Sequence, residues 1–288
     1  MLKNNEINLR DPFVVPYEGK YYLYGSRGAT CWSGTGDVNG FDCYVGTDLE
    51  NWSEPINIFK YDESFWADRN FWAPECHLYN GYFYLFASFK AEGVCRGTQI
   101  LKSDSPTGMF VPHSDGVITP KSWECLDGTL YIDKNDIPYM VFCHEWVQVT
   151  DGEMVAVELS KDLKCAVGEP FLLFRASEPD WANKDIDVSK VTDGPYLYRL
   201  SSGDLIMLWS SFSNNNYVVA IARSSNGDID GEWTHEKELL FDKDGGHAMI
   251  FKTFDNRIMI ALHSPNSNLN ERPLFIELEE KDNALVIK

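Results

Sequence analysis

The chain repeats one strand pattern five times along its length. Each copy opens with a polar, ionisable residue, continues into an apolar strand and a short turn, and ends in a second apolar strand. The copies are spaced by roughly 50 to 65 residues, and a strand-built repeat of about this size is typical of a β-propeller. The opening residues are Asp11, Glu75, Asp127, Asp193 and His247.

The second strands of the repeats are strongly apolar, and no segment shows a sustained helical periodicity. They cover residues 21–26, 82–88, 138–144, 205–211 and 258–264. The sequence therefore predicts an all-β fold, a five-bladed β-propeller with four antiparallel strands per blade, as a single domain over residues 1–288. The longer connections are expected to rim a central funnel. They lie at 26–40, 60–73, 89–97 and 176–192.

The charge of the chain is strongly negative, because 44 acidic residues stand against 25 basic ones and give a formal net charge of −19. An acidic surface repels phosphate backbones, so no nucleic-acid partner is expected, and a neutral sugar suits the chain better than an anion. No apolar run approaches the ~20 residues of a membrane-spanning helix. No protein partner is indicated.

The cysteines and the first residues bear on the cellular compartment. The seven cysteines are odd in number and form no C-x-x-C pair, which predicts free thiols rather than disulfides or a zinc site. The first residues, MLKNNEINLRDPF, contain no apolar segment of the kind found in a signal peptide. Together these features predict a cytoplasmic protein.

The opening residues carry the chemistry of the predicted funnel. If the innermost strand of each blade aims its first residue at the axis, carboxylates and a histidine converge there. A charge pointed inward at the head of a core strand is rare unless it is paired or functional. Asp11, Asp127 and Asp193 are therefore candidate catalytic residues.

Glu145 is a further candidate, because it follows the second strand of the third blade. That strand runs back beside the first, so Glu145 should lie next to Asp127, with Trp146 as a wall. A neighbouring carboxylate and an apolar wall favour a protonated carboxyl group, which suits a general acid. Two carboxyl groups in opposite protonation states are the minimum equipment for glycoside hydrolysis.

The heads of the repeats resemble glycoside hydrolase family 43, and the resemblance covers essentially the whole chain. It implies a five-bladed propeller and an inverting mechanism. It also implies a general base at Asp11 and an orienting aspartate that modulates the pKa of the acid at Asp127. Typical activities are α-L-arabinofuranosidase, β-xylosidase and arabinanase. The motifs are Arg10-Asp11-Pro12-Phe13, Trp72-Ala73-Pro74-Glu75, Asp127-Gly128-Thr129-Leu130-Tyr131, Asp193-Gly194-Pro195-Tyr196 and Gly245-Gly246-His247-Ala248-Met249.

One departure from the family pattern concerns the acid. The family usually has a glutamate before Gly-Pro in the fourth blade, and this chain has Asp193 there. An aspartate is shorter by one methylene. Either Asp193 still serves as the acid, or Glu145 supplies it and Asp193 binds sugar hydroxyls. The longer side chain and its aromatic neighbour favour Glu145.

Other residues are candidates for binding substrate or metal. Trp72, Glu75 and Trp146 fall in segments that should face the funnel, and Arg223 could pair with a catalytic carboxylate or be structural. His247 resembles a family histidine that helps to hold a hydrated cation, commonly calcium. Because calcium prefers oxygen ligands, the ion would be held mainly through water. The alternative is a histidine hydrogen-bonded at the funnel floor without metal.

The function predicted from these features is an exo-acting glycoside hydrolase on a small oligosaccharide. The expected activity is release of terminal α-L-arabinofuranose, with β-D-xylose as a second substrate, from short fragments of plant polysaccharides. A second hypothesis is a non-catalytic propeller that binds a glycan or a protein and has lost the usual acid. Scaffolding propellers of the kelch or WD type have periods near ~40–50 residues, which fits this chain less well.

Overall fold

The computed structural model describes residues 1–182 and 190–288. Five antiparallel sheets follow one another along the chain, four of them with four strands and the first with six. In every sheet the first long strand pairs with the next one along the chain. The prediction of an all-β, five-bladed propeller is confirmed.

The strands of each blade run in chain order. Blade 1 contains β1 (Leu2–Lys3), β2 (Leu9–Tyr17), β3 (Lys20–Arg27), β4 (Gly40–Gly46), β5 (Asn51–Trp52) and β6 (Ile56–Lys60). Blade 2 contains β7 (Arg69–Tyr79), β8 (Tyr82–Ala91), β9 (Val94–Ser103) and β10 (Val111–Val117). Blade 3 contains β11 (Cys125–Ile132), β12 (Pro138–His144), β13 (Glu153–Glu158) and β14 (Phe171–Arg175). Blade 4 contains β15 (Asp193–Arg199), β16 (Leu205–Ser213), β17 (Asn216–Ser224) and β18 (Trp233–His235). Blade 5 contains β19 (Gly246–Lys252), β20 (Ile258–Ser264), β21 (Arg272–Lys281) and β22 (Ala284–Ile287).

Helical structure is confined to short segments in the described part of the chain. The α-helix α1 covers Trp146–Val149, and two 3₁₀ turns cover Asn4–Glu6 and Gly36–Val38. The helix α1 directly follows Glu145.

Most of the predicted strands coincide with observed strands. One predicted connection, however, is formed mainly by strands. The connection expected at 89–97 is largely a hairpin, because β8 continues to Ala91 and β9 begins at Val94. The hairpin formed by β8 and β9 places Arg96, near the start of β9, at the funnel. Part of the connection predicted at 176–192 falls on residues 183–189, outside the described residues.

The hydrophobic core lies between neighbouring blades rather than at the axis. Apolar residues on facing strands form four clusters, each shared by adjacent blades. In the first cluster the rings of Phe41, Phe59, Phe71 and Phe89 pack with centroids 4.8 to 6.2 Å apart. Aromatic side chains suit this position because they fill the wedge between two twisted sheets.

Blade 5 and blade 1 are joined by polar contacts as well as apolar ones. The guanidinium of Arg10 donates to the fully buried carboxylate of Glu271 at 2.9 Å. The backbone of Leu9 donates to the carbonyl oxygen of Glu271, and the amide of Asn8 donates to the same carbonyl. The buried ion pair therefore helps to close the ring between the last and the first blade.

Each innermost strand has a β-bulge near its start, in which two residues face one residue of the second strand. The first of the two bulge residues has a positive φ, between 45° and 58°. These five structurally equivalent residues are Asp11, Ala73, Asp127, Gly194 and His247. The bulges re-aim these residues at the axis.

The positions of the bulges show which residues of the five repeats are structurally equivalent. Asp11, Asp127 and His247 are equivalent, as the sequence indicated. Glu75 lies two residues after the bulge position of its blade, and Asp193 lies one residue before it. In the second and fourth blades the structurally equivalent residues are Ala73 and Gly194, neither of which is ionisable, so a polar residue near the start of the strand does not mark the bulge there.

Candidate active site

A cavity of about 540 Å³ opens at the end of the propeller where the innermost strands begin. Acidic, basic and aromatic side chains share its walls. The predicted site residues that line it are Asp11, Trp72, Asp127, Glu145, Trp146, Asp193 and His247. The structure therefore brings together most of the candidate residues and leaves out two, Glu75 and Arg223.

The backbone of each bulge is tied to the preceding blade. The bulge N–H donates to a side chain on the second strand of that blade in four of five cases, at positions that are structurally equivalent. These bonds run from Ala73 to Ser26, from Asp127 to Ser88, from His247 to Ser210, and from Asp11 to His263 Nδ1. The bonds fix the bulges relative to one another across the blade interfaces.

The third blade departs from this arrangement. Its residue at the equivalent position is Cys143, opposite Leu126 in the ladder. The bulge N–H of the next blade, on Gly194, instead donates to Asp127 Oδ2 at 3.0 Å. A cysteine is a poor acceptor compared with serine, so the carboxylate of Asp127 receives this N–H.

His247 links two of the aspartates. Its Nδ1 atom lies 3.4 Å from Asp11 Oδ1 and 3.5 Å from Asp127 Oδ2. The imidazole packs beneath Gly194, where a Cβ atom would come within 3.0 Å of the His247 side chain. Glycine at that position therefore gives the histidine room to stand between the two carboxyl groups.

Asp11 has the environment of an ionised carboxylate. Burial raises its pKa, but the neighbouring His247, Arg10 and His263, together with a hydrogen bond from the Ser26 hydroxyl, outweigh burial and lower it. Stabilisation by positive neighbours and a donated hydrogen bond favours the charged form. Asp11 can therefore accept a proton from water at neutral pH.

Asp193 has the opposite environment. Burial raises the pKa of its carboxyl group to about 7, and the nearby Asp127 adds to the increase. The hydroxyl of Tyr217 donates to Asp193 Oδ2 at 3.0 Å, which moderates the rise. A carboxyl group with a pKa near 7 carries a proton in a large part of its population at neutral pH and can donate it.

Asp127 resembles Asp193 rather than Asp11 in the direction of its pKa shift. Burial, followed by the charge of Asp11, raises its pKa well above the usual value, and the N–H of Gly194 opposes the rise. The site thus contains carboxyl groups whose environments separate their pKa values. Such a separation assigns acid and base roles within one cavity.

Glu145 lies in the cavity, as predicted, but it has a partner that the sequence did not indicate. Arg96 Nε donates to Glu145 Oε2 at 2.9 Å, and both side chains are 9% exposed. A guanidinium at this distance stabilises a carboxylate rather than a carboxylic acid. The sequence predicted only Asp127 and Trp146 as neighbours of Glu145. The contact with Arg96 argues against Glu145 as the general acid.

Aromatic side chains form one wall of the cavity. The guanidinium of Arg96 lies over the ring of Trp72, 3.8 Å from its centroid, and Trp32 meets the same ring edge-on at 4.9 Å. Arg10 lies 5.0 Å from the ring of Trp32, which is 49% exposed at the rim. Since Arg96 covers one face of Trp72, Trp32 and Trp146 are better placed to meet a sugar.

Glu75 does not line the cavity, so the structure does not support its prediction as a substrate-binding residue. It is buried beneath the site and contacts His77 Nε2 at 3.1 Å. Burial raises the pKa of Glu75 to about 8 and lowers the pKa of His77 to about 3. Both groups are therefore largely neutral at pH 7, and their contact is a hydrogen bond rather than an ion pair.

Arg223 is also placed away from the cavity, so a role in binding substrate is not supported. It lies near the end of β17, opposite Ile206. Because β17 starts beside the funnel, its last residues lie at the far end of the blade. There Arg223 pairs with Asp204 at 2.9 Å and Glu236 at 2.8 Å. Its role is structural.

Residues 5–280 match the sequence profile described as Glycosyl hydrolases family 43. The chain belongs to this family. The resemblance seen at the heads of the repeats is thereby confirmed.

A solved relative in this family supports the fold over the full length. The crystal structure of an endo-arabinase from Bacteroides thetaiotaomicron is similar to this family 43 chain with a TM-score of 0.88 and 41% identity, and 98% of each chain is covered.

Two curated proteins match only in part. An extracellular endo-α-(1→5)-L-arabinanase of Bacillus subtilis is 24% identical over 153 residues, and a xylosidase/arabinosidase of Humicola insolens is 25% identical over 146 residues. The matches cover 50% and 47% of this chain, and 45% and 43% of those two proteins. The chain thus matches less than half the length of each.

The prediction of a calcium ion near His247 can be compared with the donors present. His247 Nε2 is buried and has no hydrogen-bond partner within the described residues. No group of three His, Cys, Asp or Glu side chains in residues 1–182 and 190–288 could hold an ion directly. These donors do not form a direct calcium site, and a calcium ion held through water stays a prediction.

Two of the cavity residues that sequence reasoning missed in this family 43 chain hydrogen-bond to candidate acids. Arg96 lies on β9 and Tyr217 on β17, the third strands of their blades. Third strands begin at the funnel, so a polar side chain near their start was a usable signal.

Across the described residues, no helix is long and apolar enough to span a membrane.

Proposed function

We propose that this chain hydrolyses α-L-arabinofuranosyl linkages at the ends of short oligosaccharides, with inversion at the anomeric carbon. The observation that carries the proposal is the opposite pKa shift of two aspartates in one cavity: lowered for Asp11 and raised to about 7 for Asp193. One ionised and one protonated carboxyl group are what glycoside hydrolysis requires.

In the proposed reaction Asp193 donates its proton to the oxygen of the leaving sugar. Asp11 accepts a proton from a water molecule that attacks the anomeric carbon from the opposite side. Asp127 touches His247 and the Gly194 N–H, so it is held in a fixed position between the two. Its part is to orient the sugar, and its proximity adds to the rise that burial causes in the pKa of Asp193.

Asp193 is preferred to Glu145 as the acid for an electrostatic reason. Glu145 is paired with the cation of Arg96, whereas the ionisable neighbour that contributes most to the pKa of Asp193 is another carboxylate. An acid catalyst needs a neighbour that destabilises its charged form. The same contrast speaks against a non-catalytic propeller, because a binding site alone has no need for separated pKa values.

The sugar is proposed from the relatives together with the charge of the chain. The relatives include arabinanases and a xylosidase/arabinosidase, and a net charge of −19 disfavours anionic sugars. Arabinofuranose is the leading candidate and β-D-xylose the second. Endo-hydrolysis is the main alternative to the exo mode, because the relative that is 41% identical over 98% of the chain is described as an endo-arabinase.

Product analysis tests the proposal. The enzyme is incubated with α-1,5-linked arabino-oligosaccharides labelled at the reducing end, and with 4-nitrophenyl α-L-arabinofuranoside and β-D-xyloside. Release of arabinose together with labelled products shortened one unit at a time supports the exo mode. Internal labelled fragments at early times would establish endo-hydrolysis. Absence of hydrolysis of every arabinoside and xyloside would refute the proposed activity.

A further inference from the structure

The guanidinium of Arg96 contains a buried donor that lacks an acceptor. Arg96 is 8% exposed and lines the cavity, and its Nη1 atom has no hydrogen-bond partner within the described residues. Buried donors are nearly always paired, because leaving one unpaired costs free energy comparable to a lost hydrogen bond. Because Arg96 lines the cavity, a bound ligand is a candidate source of the missing acceptor.

The surroundings of Arg96 hold its side chain in one position. Its Nε atom is bonded to Glu145, and its plane lies over the ring of Trp72 at 3.8 Å. Its backbone N–H donates to Glu124 Oε2 at 2.8 Å, and Glu124 is in turn paired with Lys90 at 2.7 Å. A guanidinium held by two contacts, on a residue whose backbone is also hydrogen-bonded, loses little freedom when it binds a ligand.

The charges around Arg96 indicate what kind of acceptor it would take. Glu145 neutralises the guanidinium, so the pair has no net charge to attract an anion. The ionised carboxylate of Asp11 elsewhere in the cavity would repel a carboxylate or phosphate. A neutral oxygen, such as a sugar hydroxyl, can accept from Nη1 without bringing a further negative charge into the cavity.

We infer that Arg96 is a specificity-determining residue whose Nη1 atom donates a hydrogen bond to one hydroxyl oxygen of the bound sugar. The inference rests on the proposed function for the identity of that sugar. A site that hydrogen-bonds a hydroxyl discriminates strongly against an analogue that lacks it, because the donor is then left unpaired. Arg96 thus selects sugars that place a hydroxyl at this point of the cavity.

The test combines a variant with deoxy substrates. Arg96→Lys retains a positive charge beside Glu145 and removes the Nη1 donor. We expect it to lower kcat/KM for 4-nitrophenyl α-L-arabinofuranoside by about 10- to 100-fold, the range of a hydrogen bond to a charged group. The 2-, 3- and 5-deoxy analogues are measured in parallel. For the analogue that lacks the bonded hydroxyl, wild type and variant should differ by less than about threefold.

The control is Arg223→Lys, which changes an arginine at the far end of a blade and should leave every kcat/KM within about twofold of wild type. Thermal unfolding of Arg96→Lys shows whether the variant is folded. If Arg96→Lys impairs the parent substrate and all three analogues by the same factor, Arg96 only supports Glu145 and Trp72, and the inference is wrong.

Binding separates this inference from the proposed function. The same four glycosides are titrated calorimetrically into Asp11→Asn, with and without Arg96→Lys. If wild type hydrolyses none of them but the binding constants show the same selective loss, the proposed activity fails and the role of Arg96 stands. If none of the four glycosides binds, the inference is overturned as well.

Discussion

The hydroxyl of Tyr217 donates a hydrogen bond to Asp193 Oδ2 at 3.0 Å. This bond stabilises the ionised form of Asp193 and so opposes the burial that raises its pKa to about 7. The ring of Tyr217 is held independently, stacked on His263 with centroids 5.7 Å apart. The hydroxyl can therefore be removed while the ring stays in place.

Tyr217→Phe should move the alkaline limb of the pH dependence of kcat/KM to higher pH, by about one unit. Activity falls as the pH rises through the pKa of Asp193, because the acid loses its proton. Without the hydrogen bond that pKa rises, so the proton is retained to higher pH. Tyr198→Phe, which loses a bond to Glu280 outside the cavity, should leave the limb in place. A limb that stays or moves down in Tyr217→Phe would show that Asp193 does not control it.

The identity of the general acid can be determined by comparing substrates that differ in their leaving group. Asp193→Asn should reduce kcat on arabino-oligosaccharides by about 10²–10⁴-fold and spare much of the activity on 2,4-dinitrophenyl arabinofuranoside, because a good leaving group departs without a proton. Glu145→Gln should impair both substrates to a similar degree. The reverse pattern, with selective loss in Glu145→Gln, would return the acid role to Glu145.

Cys143 is expected to influence catalysis through Asp127. A serine hydroxyl at this position would accept the Gly194 N–H, as serines do at the equivalent positions of other blades. Asp127 would then lose a fixed donor, and we expect Cys143→Ser to lower kcat by about tenfold. Cys43→Ser, another buried thiol that lies away from the cavity, should affect stability but not kcat. An unchanged kcat and pH profile in Cys143→Ser would disprove this role.

The closure of the ring makes Glu271 important for stability. Glu271→Ala would leave the guanidinium of Arg10 without its buried partner and should lower the free energy of unfolding by about 3–5 kcal/mol. Glu277→Ala, which removes a partly exposed pair with Lys288, should change it little. Urea denaturation measures both. Equal small effects would mean that other contacts close the ring.

The sequence predicted the fold well because the apolar strands of each repeat alternate with clear turns, and the hydrophobic pattern alone defines blades of this kind. It also placed Asp11, Asp127 and His247, since these occupy the same bulge position in their blades. The alignment failed at Glu75 and Asp193, where the bulge residue is Ala73 or Gly194. A bulge inserts a residue without a signature in the sequence.

The partners of the acids were harder to predict than the acids themselves. Arg96 reaches Glu145 from another blade, 49 positions away in the chain, and Tyr217 reaches Asp193 across β15 to β17. Such contacts depend on how far a strand extends towards the funnel, as β8 and β9 do. Neither contact is visible in the sequence, which is why sequence reasoning favoured Glu145.

The proposed mechanism is that of an inverting glycoside hydrolase with Asp11 as its general base. Proton NMR of 4-nitrophenyl α-L-arabinofuranoside during hydrolysis by wild type, with folded Asp11→Asn in a parallel sample, tests it most directly. We predict that the first arabinose signal is the β-anomer, and that Asp11→Asn releases arabinose slower by several orders of magnitude. An α-anomer formed first, or near-wild-type turnover by Asp11→Asn, would contradict the account.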